Sequence, residues 1–234
     1  MERPLDLIAG LLAPVRCAIC TGELPASQRV GVCPACARRW PAWRCPPLPG
    51  VDNRVACGPF DGLLRGALLA LKFGDQTWRA EGLGHWMAHC TRTDVPAPPR
   101  TAVVMPVPLS RERLRERGFN QAELLAVHAA RHSGRALDVT TLRRRTHLSS
   151  LAGRNRSDRR EILGAYVCTA PAPPAVLLID DVTTTGSTLE ACAAALREAG
   201  AVTIHALTCA GADDLAPPLP LEPGRGAATG HTES

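Results

Sequence analysis

The chain has 234 residues, 45% of them apolar and 21% charged, which fits one ordinary globular domain or one domain with a small appendage. No apolar run approaches the roughly 18 residues that cross a bilayer, so no membrane span is expected. A net charge of +5 is too modest to identify a nucleic-acid or membrane partner, and 3% aromatic residues argue against a face built on base stacking.

Leu5, Ile8 and Leu12 predict a short helix over residues 1–16 that stops at Pro14. The same stretch lacks a basic leading region and a small-residue cleavage site, so a signal peptide is not expected and a reducing cytoplasm is. In that setting the pairs Cys17–Cys20 and Cys33–Cys36 read as metal ligands. The CxxC spacing presents two thiolates to one ion, and four thiolates suit a structural, tetrahedral Zn²⁺. Cys45 and Cys57 are poorly spaced alternatives, and Cys90, Cys168, Cys192 and Cys209 sit in apolar contexts as buried small side chains. Residues 1–50 form an N-terminal unit of helix and zinc ribbon, closed by the linker Cys45-Pro46-Pro47-Leu48-Pro49-Gly50.

From residue 51 the pattern changes. Leu63, Leu64, Ala67, Leu68 and Leu71 predict a helix ending at Lys72-Phe73-Gly74. A Pro-rich segment, Val95 to Arg100, leads into a buried strand, Ala102 to Met105. Gln121 to His132 is the next helix, stopped by Gly134. Val176 to Ile179 is a second buried strand; Leu189, Cys192, Ala193 and Leu196 mark a helix ending at Gly200, and Val202 to Leu207 a further strand. Strands alternating with helices predict an α/β fold with a mostly parallel sheet over 51–210. The Pro-rich residues 211–234 read as a disordered tail. His85 and His89 stand at i, i+4, a chelating spacing, but lack an acid at the right offset and read as surface histidines.

The sharpest chemical signal follows the second strand: Asp180-Asp181-Val182-Thr183-Thr184-Thr185-Gly186-Ser187-Thr188. Ligands of open α/β sheets sit at the carboxyl ends of strands, and the free amides of a helix N-terminus attract phosphate. Thr184, Thr185, Ser187 and Thr188 add hydroxyl donors, and Gly186 lets the backbone turn tightly against the ligand. Asp180 and Asp181 would repel phosphate but suit vicinal sugar hydroxyls or the water shell of a metal. Carboxylates beside a phosphate cradle describe a site for a sugar phosphate. A plain helix cap needs one such residue and leaves the paired acids unexplained.

This run resembles the phosphoribosyl pyrophosphate (PRPP) signature of type I phosphoribosyltransferases. Gly58-Pro59-Phe60-Asp61-Gly62 through Gly74, Val107-Pro108-Leu109-Ser110, Arg117-Gly118-Phe119-Asn120-Gln121 and the CxxC pairs narrow the likeness to the ComF/GntX family, over roughly residues 5–210. The resemblance implies the type I phosphoribosyltransferase fold, a mostly parallel twisted sheet with flanking helices, preceded by the zinc ribbon. It implies that Thr184, Thr185, Gly186, Ser187 and Thr188 bind the 5-phosphate, that Asp180 and Asp181 contact the ribose, that Thr183 belongs to the same PRPP-binding set, and that Mg²⁺ accompanies PRPP.

Of the 27 basic residues, 26 are arginines, which marks Lys72 as a placed ammonium. Lys72 and Arg117 are the candidates for holding a pyrophosphate; Arg111 and Arg113, interleaved with Glu112 and Glu116, read as a solvated helix. The stretch matching 143–166 departs from the family in lacking its Gln, with Ile162 about where an Asn is expected; its seven arginines between 143 and 160 read as a basic hood. The function expected is transfer of a phosphoribosyl group from PRPP to a nucleophile with loss of pyrophosphate. The alternative is a non-catalytic protein that senses PRPP or serves competence and DNA uptake, touching single-stranded DNA.

Overall fold

The computed structural model describes residues 15–25, 27–40, 42–74, 76–91, 98–145 and 164–212. The expected N-terminal helix, most of the Pro-rich segment before Arg100, the arginines beyond 145 with Ile162, and the tail beyond 212 lie outside the described residues.

In chain order the elements are α1 (Pro34–Arg39), β1 (Trp43–Arg44), β2 (Asn53–Ala56), α2 (Gly62–Phe73), α3 (Arg79–Cys90), β3 (Val103–Pro106), α4 (Arg111–Arg117), α5 (Gln121–Ser133), β4 (Leu142–Arg144), β5 (Tyr166–Cys168), β6 (Ala175–Thr183), α6 (Ser187–Glu198) and β7 (Thr203–Gly211). The main sheet runs β1-β2-β7-β6-β3; only β1 pairs antiparallel, and β4 with β5 forms a separate antiparallel ribbon. This is the α/β class with a mostly parallel sheet that the alternation of elements predicts. Trp43–Arg44, read from sequence as part of the N-terminal unit, joins the edge of this sheet.

β6 is apolar throughout its first half because both of its faces are covered, as parallel strands require. Leu177 and Ile179 belong to a core shared with Leu64, Leu68 and Leu71 of α2, Leu83 and Met87 of α3, and Leu125 of α5. Val176 and Leu178 belong to a second core with Leu189, Cys192 and Leu196 of α6 and with Leu142 and Tyr166 of the ribbon. The cysteine segment is continuous with the first core through Cys17, Ala18, Ile19, Val32 and Cys36. Arg79 fixes it there, donating from Nη1 to the carbonyls of Ala18 (2.6 Å) and Ile19 (3.2 Å).

Two strands outrun the sequence reading. β6 continues through Asp180, Asp181 and Val182 to Thr183, held by pairing of Val182 with Ala210 and Thr183 with Gly211 of β7, which itself extends to Gly211. Ladder pairing overrides the weak strand preference of Asp-Asp.

Candidate functional site

The carboxyl end of β6 opens into a polar cleft of about 180 Å³. It is lined by Lys72, Arg113, Arg117, Arg144, Asp180, Asp181 and Thr188, together with Asn120, Gln121 and Tyr166. Four cations against two acids give it a positive balance, and ligands of parallel sheets sit at such strand ends.

Strand periodicity separates the two acids. Asp181 follows the register of Ile179, toward α2, and forms an ion pair with Lys72 (Nζ to Oδ2, 3.8 Å). Asp180 follows the register of Leu178, toward the ribbon. Burial first, and then the charge of Asp181, push its pKa well above the usual carboxylate range. Each carboxylate also accepts a backbone amide, Asp180 from Asp181 (2.9 Å) and Asp181 from Val182 (2.8 Å). A donor-rich ligand or a divalent cation would relieve this crowding of negative charge.

Lys72 and Arg117 come together around one ring. α2 ends by exposing Phe73 (67% accessible), with Lys72 Nζ 5.7 Å and Arg117 Cζ 5.3 Å from its centroid. The segment 117–121 explains itself locally. Gly118 adopts a left-handed φ of +77° and closes α4; Asn120 then caps α5, accepting from the Ala122 amide (3.1 Å) and donating to the Val107 carbonyl (3.0 Å). That clasp ties the loop after β3 to the start of α5 and places Arg117 and Gln121 on the cleft. Gln121 accepts from Arg117 (3.3 Å), while its buried Nε2 has no hydrogen-bond partner, a donor left for a ligand.

The loop 183–188 divides. Thr188 lines the cleft, whereas Thr184, Thr185, Gly186 and Ser187 lie beyond its lining. Thr184 and Thr185 are exposed. Thr183 is buried and accepts from Arg54 Nη1 (3.3 Å). Gly186, with φ +83°, is the N-cap of α6 and offers no side-chain cap; the Thr185 hydroxyl meets Ser187 Oγ at 2.9 Å and its amide at 3.4 Å. The need for glycine comes from beneath. A Cβ there would stand 2.4 Å from Leu48 Cδ1 and 2.5 Å from Arg54 Nη1, so the linker and a buried arginine fill the space that sequence reasoning assigned to a ligand.

Sequence reasoning missed Arg113, Arg144, Asn120, Gln121 and Tyr166 as cleft residues. Arg113 sits on α4, a helix with no buried residue, and lines the cleft from there. Arg144 lies over Tyr166 at 5.7 Å, and the two meet only through pairing of β4 with β5. The Arg117-to-Gln121 motif was the one available signal for Asn120 and Gln121.

Away from the cleft, one Sγ each of Cys17, Cys20, Cys33 and Cys36 lie within 4.8 Å of one another, and all ten cysteines are free. Cys45 and Cys57 are not in this group. Burial works to raise the Cys17 thiol, but amide hydrogen bonds from Cys33, Cys20 and Ile19 hold it below its ordinary value. Burial and neighbouring thiols push Cys20 and Cys36 up. Four sulfurs so close, with amides turned toward Cys17, form a donor set that could hold a metal such as zinc.

No family model matches the chain. Among the described residues, no helix is long and apolar enough to cross a membrane. The solved structure of the allosteric regulatory enzyme of purine biosynthesis is 18% identical and covers 56% of this chain and 25% of that one, with a TM-score of 0.37, too low to bear on the fold. Among curated proteins, Competence protein ComFC of Bacillus subtilis is 35% identical over 107 residues, 44% of this chain and 41% of that one. Competence protein F of Haemophilus influenzae is 30% identical over 181 residues, 72% of this chain and 73% of that one. DNA utilization protein YhgH of Salmonella typhi is 30% identical over 207 residues, 81% of this chain and 87% of the relative. Likeness of that extent to proteins of competence and DNA utilization makes the chain a member of the ComF family.

Proposed function

We propose that the cleft at the end of β6 binds PRPP or a related ribose 5-phosphate compound with Mg²⁺. The observation that carries this reading is the convergence of Lys72, Arg117, Asp180, Asp181 and Thr188 on one polar cleft from four separate elements. The phosphate end is taken at the start of α6, whose cap has no side chain: Thr188 reaches the cleft, and Thr184 to Ser187 form the adjoining loop at its rim. Asp180 and Asp181 accept the ribose hydroxyls or hold the water shell of Mg²⁺, whose charge eases their mutual repulsion. Lys72 and Arg117, both set against the ring of Phe73, take the pyrophosphate end, with Arg113 and Arg144 adding positive charge. A transferase using this site breaks the bond from C1 to pyrophosphate and forms one to an acceptor nucleophile, mainly by positioning and charge stabilisation. The four N-terminal cysteines hold structural Zn²⁺ and seat the N-terminal segment on α3. A reducing, cytoplasmic setting suits these free thiols.

A thermal-shift screen tests the reading. PRPP with Mg²⁺ is expected to raise the midpoint more than ribose 5-phosphate or nucleotides do. No shift with any sugar phosphate at millimolar concentration would contradict it.

The names of the relatives favour a second reading, a competence or DNA-uptake accessory. Beside the first cleft lies a wider one of about 640 Å³, lined in part by Arg111, Arg143, Arg144 and Arg145, which could take the phosphates of a single strand. Binding of single-stranded DNA that falls steeply with salt and is lost when Arg143 to Arg145 are neutralised would support it.

A further inference from the structure

The helices α3 and α5 cross closely enough to exclude side chains at the contact. A Cβ on Gly84 would lie 2.6 Å from His128 Cβ and 2.9 Å from the Leu125 carbonyl oxygen. Around that crossing, each helix carries two metal-ligating types at i, i+4: Glu81 and His85 on α3, His128 and His132 on α5. This spacing puts both members of each pair on one helix face. One carboxylate oxygen of Glu81 and one ring nitrogen each of His128 and His132 lie within 4.8 Å of one another, all three residues being half-buried. Two imidazole nitrogens here, His128 Nδ1 and His132 Nε2, are buried without a hydrogen-bond partner. His85 stands edge-on to His132, with ring centroids 4.7 Å apart.

Buried ring nitrogens normally find partners, so two orphans beside a carboxylate call for an explanation. We propose that Glu81, His128 and His132 form a second metal site, distinct from the four cysteines, that takes a divalent first-row ion of the zinc class. Two imidazoles and a carboxylate match the preference of Zn²⁺ for nitrogen and oxygen donors, and three protein ligands leave one position for water. Zn²⁺ ligands at about 2.0–2.1 Å stand about 3.4 Å apart in a tetrahedron, so small side-chain rotations close the site from its present spread. The ion ties α3, which carries the cysteine segment through Arg79 and Gly82, to α5, which carries the cleft residue Gln121. His85 and His89 remain outside the ligand set. The acid that the sequence reading missed is Glu81, one turn before His85, and its histidine partners come from another helix.

The test uses the full chain with its cysteine site filled by Zn²⁺, titrated with Co²⁺. The expected result is one further equivalent bound in the micromolar range, with ligand-field bands but no sulfur charge-transfer band, and a melting midpoint that rises with Co²⁺ concentration. His128→Ala with His132→Ala should abolish this equivalent. Glu81→Gln, which keeps size and helix preference, should weaken it about tenfold or more while leaving far-ultraviolet circular dichroism unchanged. Absence of a second equivalent in the parent at 100 µM Co²⁺ overturns the proposal without reference to any variant. Undiminished binding in a folded Glu81→Gln or double-histidine variant overturns it as well, as does a sulfur charge-transfer band on the second equivalent.

Discussion

Gly186→Ala isolates the internal constraint on the loop before α6. The residue has φ +83°, a left-handed conformation that costs a non-glycine residue about 1–2 kcal/mol. Its new methyl would press on Leu48 Cδ1 at 2.4 Å and Arg54 Nη1 at 2.5 Å. Leu48 can rotate. Arg54 is buried and pinned through Nη1 to Thr183 (3.3 Å) and Nη2 to the Pro46 carbonyl (3.0 Å). Displacing one hydrogen bond of a charged group costs about 1.5–3 kcal/mol, so the substitution should destabilise the fold by roughly 2.5–5 kcal/mol. In a chain of this size that lowers the thermal midpoint by roughly 5–20 °C. Leu48→Ala, measured alone and with Gly186→Ala, completes a double-mutant cycle by urea denaturation. The pair should cost less than the sum by about 1 kcal/mol, because truncating Leu48 removes one of the two clashes. A Gly186→Ala variant within 0.5 kcal/mol of the parent, or a strictly additive cycle, would refute the packing argument. Loss of ligand binding in a glycine variant is then partly a loss of the loop's seat, and the acids are the better probe of recognition.

Lys72→Ala should weaken binding of inorganic pyrophosphate more than that of ribose 5-phosphate, with little change in stability, because its ion pair with Asp181 at 3.8 Å is partly solvated. Equal losses in calorimetry would return Lys72 to an ordinary surface role. The metal that survives dialysis against a weak chelator should be one Zn²⁺ per chain. Cys17→Ser with Cys33→Ser should remove it and loosen the core that Cys17, Ile19 and Cys36 share with α3; retention of the metal in that variant contradicts the assignment. Burial acts to raise Asp138, yet hydrogen bonds from Thr141 and Thr140 outweigh it and hold the carboxyl down at about 2, against an ordinary 3.8. A depressed carboxylate stabilises the fold fully above its unfolded value and loses that contribution as pH falls through the folded one. Asp138→Asn should therefore flatten the fall in stability between pH 4 and pH 2, and an unchanged profile would refute the hydrogen-bond account.

The central strands were legible because burial on both faces leaves an unbroken apolar run, as in Val176 to Ile179. Helix ends were legible where glycine takes a left-handed cap, as at Gly134 (φ +67°). The cysteine group was legible because CxxC spacing is a local property. What the sequence hid is tertiary. Asp180 and Asp181 lack strand preference and are held extended by pairing with their partner β7. Arg144 and Tyr166 meet through a ribbon whose strands are 22 residues apart in the chain. Arg113 could not be told from its solvated neighbours without the fold that sets α4 at the cleft. Gly186 was legible as a required glycine, but its cause, Leu48 and Arg54 beneath the turn, involves residues more than a hundred positions away.

The measurement that bears most directly on the proposed site is calorimetry of Asp180→Asn with Asp181→Asn against the parent, using PRPP with Mg²⁺ and, separately, inorganic phosphate. Each lost charge-assisted hydrogen bond is worth about 1.5–3 kcal/mol, so PRPP affinity should fall tenfold or more. Phosphate needs only the cradle at the start of α6, and its affinity should hold or improve as the nearby negative charge disappears and Lys72 is released from Asp181. Undiminished PRPP affinity in the double variant, with phosphate binding also unchanged, would contradict the assignment of these acids to the sugar and its metal.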